Sequence, residues 1–387
     1  LVIFDDVRKN ALDKLSDLLP PRPSSALVTS RMQQIGGVQT FPLKEMTWQE
    51  ASQLFRAILK DEIFNNEEET LKQLAERCKF NPLAMEIAAR NILQKQGFRK
   101  PVALYFEQAQ TKFSALKAEG DERWDMHAIF DISYEELNTS DQEKFRWLSA
   151  FHPTGFSVEA VSYLWKTDED TTRQVLSRFI NLSLVKPVPI EDERIERYRL
   201  HDLLDEYAYL KLKSNKEEGN AKLAFAEWVT NLFDKNDIPS VENLPYLLPE
   251  RDNLLHACEW ARGEKQADIL ALLTTKTRNW FYVNFRDAWV FWFAWLEACL
   301  QLGVSDKNLE ANVRKAIGDV QQFRKENNEA LESYNEALKL FRQVGDKLGE
   351  ANVRKAIGDV QQFRDERDEA LESYNEALKL FRQYEEK

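Results

Sequence analysis

The chain has 387 residues, 43% of them hydrophobic and 30% charged, and a formal net charge of −12. This length allows two to four domains, and the acidic balance argues against a general binder of nucleic acid or of anionic membranes, whose surfaces are usually basic. The four histidines include no pair at i, i+4, so we expect no zinc site. Three widely separated cysteines, Cys78, Cys258 and Cys299, predict buried thiols in a reducing compartment.

Two short apolar segments near the start of the chain end in polar side chains. Residues 1–7 are an apolar run followed by Asp5 and Asp6, and a second run, after a short helix and a Pro-rich turn, ends in Ser30 and Arg31. A strand, a helix and a second strand in this order predict a buried parallel sheet, in which the carboxyl ends of both strands lie at the same edge. Two carboxylates and a guanidinium at that edge suit a magnesium nucleotide. The competing interpretation is a core strand that ends in solvated charges.

The pattern becomes helical after these two segments. Thr47 and Glu50 have the spacing of a capping box, and apolar residues follow at helical spacing. Residues 68–95 predict two helices broken at Asn81-Pro82, because proline cannot continue the preceding helix and suits the first turn of the next.

Several of these segments together resemble a known family. They are residues 1–7 (LVIFDDV), 26–31 (ALVTSR), 41–55 (FPLKEMTWQEASQLF), 78–84 (CKFNPLA), 130–137 (FDISYEEL) and 198–202 (YRLHD). In this order they resemble the NB-ARC group of signal-transduction ATPases, the STAND proteins, which includes plant disease-resistance proteins, the apoptosome ATPase and many bacterial regulators. The last two segments are similar to the family's LSYDDL and MHD motifs.

The resemblance implies a role for each matching position. Asp5 would hold Mg²⁺ and Asp6 would polarise the attacking water. Arg31 would be the sensor arginine that contacts the nucleotide phosphates, and Pro82 would pack on the adenine. His201 would hydrogen-bond the β-phosphate of ADP and lock the resting state. The implied cofactors of the intact protein are therefore ADP or ATP with Mg²⁺.

Each of these residues also has a simpler interpretation. A lone His201 at a helix start is more often a cap or a satisfied surface residue, Arg31 a solvated charge, and Pro82 only a helix start. The chain also departs from the family, with Phe80-Asn81 replacing Gly-Leu before Pro82, and Leu200 replacing the Met of the last motif. The order of the motifs, rather than any single residue, favours the functional interpretation.

The family's glycine-rich phosphate loop precedes the strand that carries Asp5, and nothing precedes that strand here. The chain begins with Leu1, without a basic flank that would indicate a signal peptide. We therefore expect a cytoplasmic fragment that binds nucleotide weakly or not at all and carries no cofactor. Its parent protein would be a slow ATPase.

Residues 124–210 predict three helices, two short strands around residues 190–194, and a helix from His201. This pattern is typical of a winged helix, which often binds DNA. Residues 131–199 hold 13 acidic and nine basic side chains. DNA binding requires phosphate neutralisation, so we expect no nucleic-acid partner.

An aromatic segment, residues 280–295, lies within the helical stretch that follows. It contains nine aromatic residues, and Arg286 and Asp287 limit its uninterrupted apolar run to nine residues, too short for a membrane span. We predict a helix buried between neighbours; an exposed partner site is the alternative, since Trp and Tyr are enriched at binding hot spots.

Residues 310–343 and 350–383 are nearly the same sequence at a period of 40, differing at positions 325, 327 and 328. Each unit predicts two amphipathic helices, a helix A and a helix B, and resembles the tetratricopeptide repeat. The residues of the first unit expected to be buried are Val313, Ala316, Ile317, Val320 and Phe323 of helix A and Ala330, Tyr334, Ala337, Leu338 and Phe341 of helix B. Stacked repeats of this kind present a concave face that binds a protein or peptide.

The sequence therefore predicts a mainly α fold with a remnant of a parallel α/β nucleotide-binding sheet, a helical domain, a winged-helix domain and an α-solenoid of tetratricopeptide-type helix pairs. The predicted domains are residues 1–46 (nucleotide-binding sheet), 47–116 (helical), 117–210 (winged helix), 211–303 (helical linker) and 304–387 (repeats). The predicted function is an ADP/ATP-switched signalling regulator that senses a protein or peptide ligand on its repeats and assembles into a homo-oligomer. The alternatives are a repeat scaffold with a vestigial ATPase core and, less favoured, a winged-helix transcription regulator.

Overall fold

The computed structural model describes residues 1–4, 7, 15, 18–21, 23–30, 39, 41, 43–117, 124–189 and 195–385. These residues are mainly helical, which confirms the predicted fold class. They form two compact units, residues 1–107 and residues 108–387. The finer division into five domains stays a prediction.

The first unit opens with two strands, β1 (Val2–Phe4) and β2 (Ala26–Val28), which pair in parallel with Ile3 opposite Leu27. The parallel pairing of these two segments is confirmed. The prediction that they are buried is wrong, because Ile3 is 61% and Leu27 52% exposed. Two strands alone make a sheet too narrow to bury its own side chains.

The remaining elements of the first unit are helices. They are α1 (Trp48–Ile58), α2 (Asp61–Asn66), α3 (Glu68–Arg77), α4 (Pro82–Gln94) and the start of α5 (Pro101–Lys117). The predicted capping box is confirmed, since the Thr47 backbone N–H donates to Glu50 Oε2 (2.7 Å) and the Glu50 N–H donates to Thr47 Oγ1 (3.3 Å). The predicted break between two helices lies between α3 and α4.

The second unit begins with helices around a small antiparallel sheet. Its first elements are α6 (Trp124–Glu135), α7 (Thr139–Trp147), β3 (Phe156–Ser157), α8 (Val158–Trp165), α9 (Glu169–Asn181), β4 (Lys186–Pro187), β5 (Arg197–Arg199), α10 (Asp202–Ser214) and α11 (Glu218–Lys235). The strand order is β3-β5-β4. The described residues thus contain four helices before the predicted hairpin rather than three, because Asn138, Ser157 and Asp168 each cap a new helix. Strand β3 was not predicted either.

Helices α12 to α20 complete the second unit. They are α12 (Leu244–Leu247), α13 (Arg251–Gly263), α14 (Ala267–Lys276), α15 (Arg278–Val283), α16 (Trp289–Leu302), α17 (Lys307–Phe323), α18 (Asn327–Val344), α19 (Lys347–Phe363) and α20 (Arg367–Glu385). Helix α14 packs against α13, α16 and α17, so the linker helices continue directly into the repeats.

The aromatic segment forms two helices, α15 and α16, joined by a short 3₁₀ turn, rather than the single helix predicted. Trp280, Trp292 and Trp295 are buried, as predicted, whereas Phe291 is 56% exposed. No helix of the described residues is long and apolar enough to cross a membrane. All three cysteines are free and buried, which confirms the predicted buried thiols, while the reducing compartment stays a prediction.

The two repeat units are helical pairs, α17 with α18 and α19 with α20, as predicted. Gly318 of α17 lies against the Tyr334 ring of α18 so closely that an added Cβ would stand 2.6 Å from a ring carbon. The predicted apolar faces of the first unit are buried except at Phe323, which is 68% exposed and packs edge-on against Trp289 with 4.6 Å between the ring centroids. Phe323 is the last residue of its helix, so its ring extends past the helix pair that buries the others.

The same side chain has different surroundings in the two units. Leu338 is 8% exposed because α19 packs over α18, whereas Leu378, its equivalent 40 residues later on α20, is 47% exposed. Burial of this face therefore depends on the next helix pair and not on the sequence of the unit itself.

We predict that Gly318→Ala lowers the free energy of unfolding, because the new methyl group meets the fully buried Tyr334 ring. Overpacking of this kind costs about 1–3 kcal/mol, against about 1 kcal/mol gained from the helix propensity of alanine. The matched control is Gly358→Ala, whose partner Tyr374 lies in the less covered helix α20 and can move. Urea unfolding should show a clear loss at 318 and a smaller one at 358; equal effects would contradict this explanation.

Candidate functional site

Three residues predicted to bind nucleotide or metal, Asp5, Asp6 and Arg31, lie outside the described residues. Their predicted roles in binding Mg²⁺ and phosphate therefore stay predictions. Among the residues that the structure does describe, no group of three or more His, Cys, Asp or Glu side chains could hold a metal ion.

Pro82 is the first residue of α4 and is exposed. The chain reverses just before it through Lys79 and Phe80, which both have positive φ angles of about 50°. Asn81 then caps the helix, since its Oδ1 accepts from the Ala84 N–H at 3.1 Å. This geometry explains the proline as a helix start, and its predicted contact with adenine stays a prediction.

His201 is the N-cap of α10, and its Nδ1 accepts from the Leu203 backbone N–H at 3.3 Å. Leu200 beside it is buried. The imidazole is exposed. The structure therefore shows His201 as a helix cap, while its predicted contact with an ADP phosphate stays a prediction.

The helix that begins at His201 is fixed to the segment that resembles the LSYDDL motif. Asp131 of α6 accepts hydrogen bonds from Tyr207 Oη at 2.5 Å and from Lys211 Nζ at 2.6 Å, both on α10. The Tyr207 ring also packs edge-on against the Phe130 ring, with 5.6 Å between the ring centroids. Burial, and then the Asp131 carboxylate, raise the pKa of Tyr207, so the hydroxyl remains a donor. The structure thus joins two motifs that are about 70 residues apart in the sequence.

A buried ion pair connects the hairpin to the linker helices. Arg197 of β5 donates to Glu250, just before α13, and both side chains are 3% exposed. Arg197 Nη2 also donates to the Gly155 carbonyl at 2.8 Å, and Asn253 Nδ2 donates both to this carbonyl at 3.0 Å and to Glu250 Oε2 at 2.6 Å. Burial raises the pKa of Glu250, while Arg197 opposes this rise. These contacts therefore hold strand β5, the loop at Gly155 and the start of the linker helix α13 together.

A second group of polar side chains, the buried Lys222 and the half-buried His256 and Asp205, lies on α11, α13 and α10. Lys222 Nζ donates to His256 Nε2 at 2.7 Å and to the Ala150 carbonyl at 3.0 Å. Burial lowers the pKa of Lys222 to about 8 and that of His256 to about 3, so the imidazole is a neutral acceptor. Asp205, one turn after His201, has its pKa raised to about 7, mainly by burial and against the attraction of Lys222.

Sequence reasoning missed both groups. Arg197 and Glu250 are 53 residues apart and belong to no motif, and a charged residue in a chain with 30% charged residues carries no signal of burial. Glu250 follows Pro249 at a break between helices, where a solvated carboxylate is the ordinary expectation. Only the fold reveals these contacts.

The repeats and the linker helices line a run of cavities. One cavity, of about 510 Å³, lies between α14 and α17, and neighbouring cavities of about 500 and 320 Å³ follow along α17 and α19. Arg278 borders all three. The lining of the 320 Å³ cavity is mainly polar, with Asn312 and Lys315 of the first unit and Asn352 and Lys355 at the equivalent positions of the second. This is the face on which a protein or peptide ligand was predicted.

The described chain is thus a helical protein in which a small sheet and a capped helix are joined by linker helices to stacked repeats. The family model of the tetratricopeptide repeat matches residues 295–383, which confirms the predicted repeats and adds the end of α16 to them.

Curated relatives confirm the resemblance to the NB-ARC signalling proteins. The chain is 30% identical to the regulatory protein AfsR of Streptomyces griseus over 212 residues, 54% of this chain and 21% of the relative. It is 27% identical to AfsR of Streptomyces coelicolor, covering 60% of this chain and 23% of the relative. The disease resistance protein RPP13 of Arabidopsis thaliana is 25% identical over 55% of this chain and 27% of its own length. The chain therefore spans about a fifth to a quarter of the length of these relatives.

A solved structure is also similar. It is that of a signal transduction ATPase with numerous domains and a tetratricopeptide repeat sensor from Pyrococcus horikoshii. The sequence identity is 17% and the TM-score 0.42, with 99% of this chain and 62% of that chain covered.

We predict that Arg197→Met destabilises the second unit by about 3–5 kcal/mol, because it leaves Glu250 buried without its counter-charge. Urea unfolding should show this loss, and the double variant Arg197→Met with Glu250→Met should recover much of it. The control is Arg173→Met, which breaks exposed pairs with Glu169 and Glu196 and should cost less than about 1 kcal/mol. Similar losses for the two single variants would disprove the importance of burial.

We predict a pH dependence that originates in Asp205. Its pKa is about 7 in the folded chain against an ordinary value of 3.8, so the folded chain holds this proton more tightly than the unfolded one. The contribution of Asp205 to the unfolding free energy therefore falls as the pH rises from about 4 to about 7 and is constant above that. Relative to the wild type, Asp205→Asn should gain stability over this pH range. Parallel stability curves for the two proteins from pH 4.5 to 8 would exclude the shift.

Proposed function

We propose that this chain is the regulatory and sensing part of a nucleotide-switched signalling protein. The main observation in its favour is a set of connections around the helix that His201 caps. This helix is bound to the LSYDDL-like segment through Tyr207 and Asp131, and the strand before it is bound through Arg197 to the linker that leads into the repeats. The relatedness to regulatory and disease-resistance proteins supports this proposal, as does the tetratricopeptide match at the other end of the chain.

In the proposed mechanism, a protein or peptide ligand binds on the repeat face, the surface that Asn312, Lys315, Asn352 and Lys355 line. The nucleotide is held beside His201. A continuous set of contacts joins these places within the second unit. Helix α17 packs on α14, α14 packs on α13, and Glu250 at the start of α13 is bound to Arg197, four residues before His201. A change in how the first repeat packs would therefore act on the hairpin and on the helix that His201 caps.

The proposed switch is a population shift between two states of the protein. ADP beside His201 favours the closed state, and the ligand on the repeats favours the open state, in which ATP exchange and assembly into an oligomer follow. The ligand shifts this equilibrium only by its difference in affinity for the two states. A change from about 1:99 to about 99:1 requires a difference of about 10⁴-fold.

A second candidate is a repeat scaffold whose nucleotide-binding part is only structural. The specific observation in its favour is the run of cavities of about 510, 500 and 320 Å³ along the repeats, which could bind a ligand without any nucleotide. The two candidates differ in whether the protein encoded by the complete gene binds ADP. Calorimetry on that protein separates them, since the scaffold requires no ADP binding.

We predict that His201→Ala, made in the protein encoded by the complete gene, releases bound ADP and gives oligomers in the absence of ligand. The control for helix capping is His201→Asn, because asparagine is among the best N-cap residues and keeps the cap without the imidazole. If the imidazole binds the phosphate, both variants lose ADP, as measured by nucleotide content after purification and by mass photometry. Retention of ADP by the asparagine variant would show that His201 acts only as a helix cap and does not bind the phosphate.

A further inference from the structure

One side of helix α20 carries a stripe of exposed residues, which we call the α20 stripe. It consists of Asp368, Leu371, Asn375, Leu378 and Arg382. Spacings of three and four residues place these side chains on one side of the helix, and all of them are exposed. Leu371 is 60% and Leu378 47% exposed. A solvated helix face is normally polar, so two exposed leucines in one stripe indicate a contact surface.

The first repeat unit shows what kind of partner covers such a stripe. The equivalent residues of α18 are Asn328, Leu331, Asn335, Leu338 and Arg342. Leu338 is only 8% exposed, and Leu331 packs against the core of the repeats. Arg342 Nε donates to Glu350 Oε1 of the covering helix α19 at 3.0 Å. The partner of this stripe is therefore a helix that buries the leucines and supplies a carboxylate to the arginine.

The stripes of the two units differ at one position, and this difference concerns charge. The second unit has Asp368 where the first has Asn328. The α20 stripe therefore has an acid at one end and Arg382 at the other, with Leu371 and Leu378 between them, nearly symmetric about Asn375. Among the side chains that the structure describes, no carboxylate pairs with Arg382 as Glu350 pairs with Arg342.

This order of residues is complementary to itself in the antiparallel orientation. A two-fold axis near Asn375 would place Leu371 of one copy beside Leu378 of a second copy, and Asp368 beside Arg382. The acid and the base are 14 residues apart, or about 21 Å along the helix, so both ion pairs form together only at this alignment. A parallel pair would instead place like charges against each other at both ends.

We propose that the α20 stripe binds the α20 stripe of a second copy of this chain, as an antiparallel helix pair with two-fold symmetry. This contact requires neither nucleotide nor a ligand on the repeat face, so it is separate from the assembly in the proposed function. The leucines supply the affinity by burial of apolar surface. The exposed ion pairs add little affinity and determine the orientation.

The expected affinity is low for two reasons. A single helix pair is a small interface, of the size typical of transient complexes. Each copy also carries a net charge of −12, so the two copies repel each other outside the stripe. We therefore expect a dissociation constant of about 10–100 µM.

The first test is sedimentation velocity on the full chain, from about 1 to about 300 µM, which covers the expected dissociation constant. Leu378→Glu brings two carboxylates into the apolar contact and should weaken the dimer at least about tenfold. The control is Leu210→Glu on α10, because Leu210 is also 47% exposed; it should change the dissociation constant less than about twofold. Both leucines are exposed, so the melting temperature of the monomer should not change.

The second test exchanges the charges at the ends of the stripe. Asp368→Arg and Arg382→Asp each place like charges together at both ends of the pair, so each variant alone should dimerise at least about fivefold more weakly than the wild type. An equal mixture of the two variants restores both ion pairs and should form a heterodimer of nearly wild-type affinity. The difference should shrink in high salt, which screens exposed charges.

Three results would overturn this proposal. The first is a chain that remains monomeric at about 300 µM, well above the expected dissociation constant. The second is a dimer that Leu378→Glu does not weaken or that mixing the charge variants does not restore, since its contact would then lie elsewhere or have another orientation. The third is a monomer, made from the complete gene, in which Leu378→Glu lowers the melting temperature, because the stripe would then be covered within one chain.

Discussion

The buried contact between Arg197 and Glu250 is the constraint on which the second unit depends. Removing two charges from water is costly, and their attraction repays this cost only when the remaining donors and acceptors are also satisfied. Here the Gly155 carbonyl and Asn253 complete the set. The hairpin strand β5 therefore has one well-defined position on the linker helices. Because His201 follows four residues later, the start of α10 has one as well.

The repeats depend on stacking more than on their own sequence. Leu338 and Leu378 are the same residue in nearly identical units, yet one is buried and the other exposed. The Lys315 side chain is 14% exposed and that of its equivalent Lys355 is 61% exposed for the same reason, since neighbours outside the unit decide how much water reaches each side chain. Position in the stack therefore determines the chemistry of a repeat residue, and two copies of one sequence can serve different purposes.

Local signals allowed much of the fold to be predicted from the sequence. The Thr47 capping box, the helix start at Pro82, the parallel pairing of β1 and β2 and the helix pairs of the repeats all follow from short-range patterns. The errors concern features without such a pattern. The exposure of β1 and of Phe323 depends on how much surface their neighbours provide, and the break between α15 and α16 lies at residues 284–288, where Arg286 and Asp287 interrupt an otherwise aromatic segment.

The candidate site was predictable only in part, for a similar reason. The motif positions of Asp131 and His201 lie in the sequence segments that pointed to the family, whereas their contacts, with Tyr207 and with the Leu203 N–H, required the fold. Arg197 and Glu250 belong to no motif. Whether such a residue is buried depends on packing across tens of residues, which a single sequence does not encode in any local pattern.

The glycine at the start of α19 has a consequence for how such an array could grow. An added Cβ at Gly349 would stand 2.4 Å from the Phe341 ring of the preceding helix, whereas the first unit has Leu309 at the equivalent position. A unit preceded by glycine therefore fits behind a helix that ends like α18, whereas a unit preceded by Leu309 would bring a leucine side chain against the Phe341 ring. A gene duplication that lengthened this array would thus preserve this packing if it copied the second unit together with the glycine that precedes it.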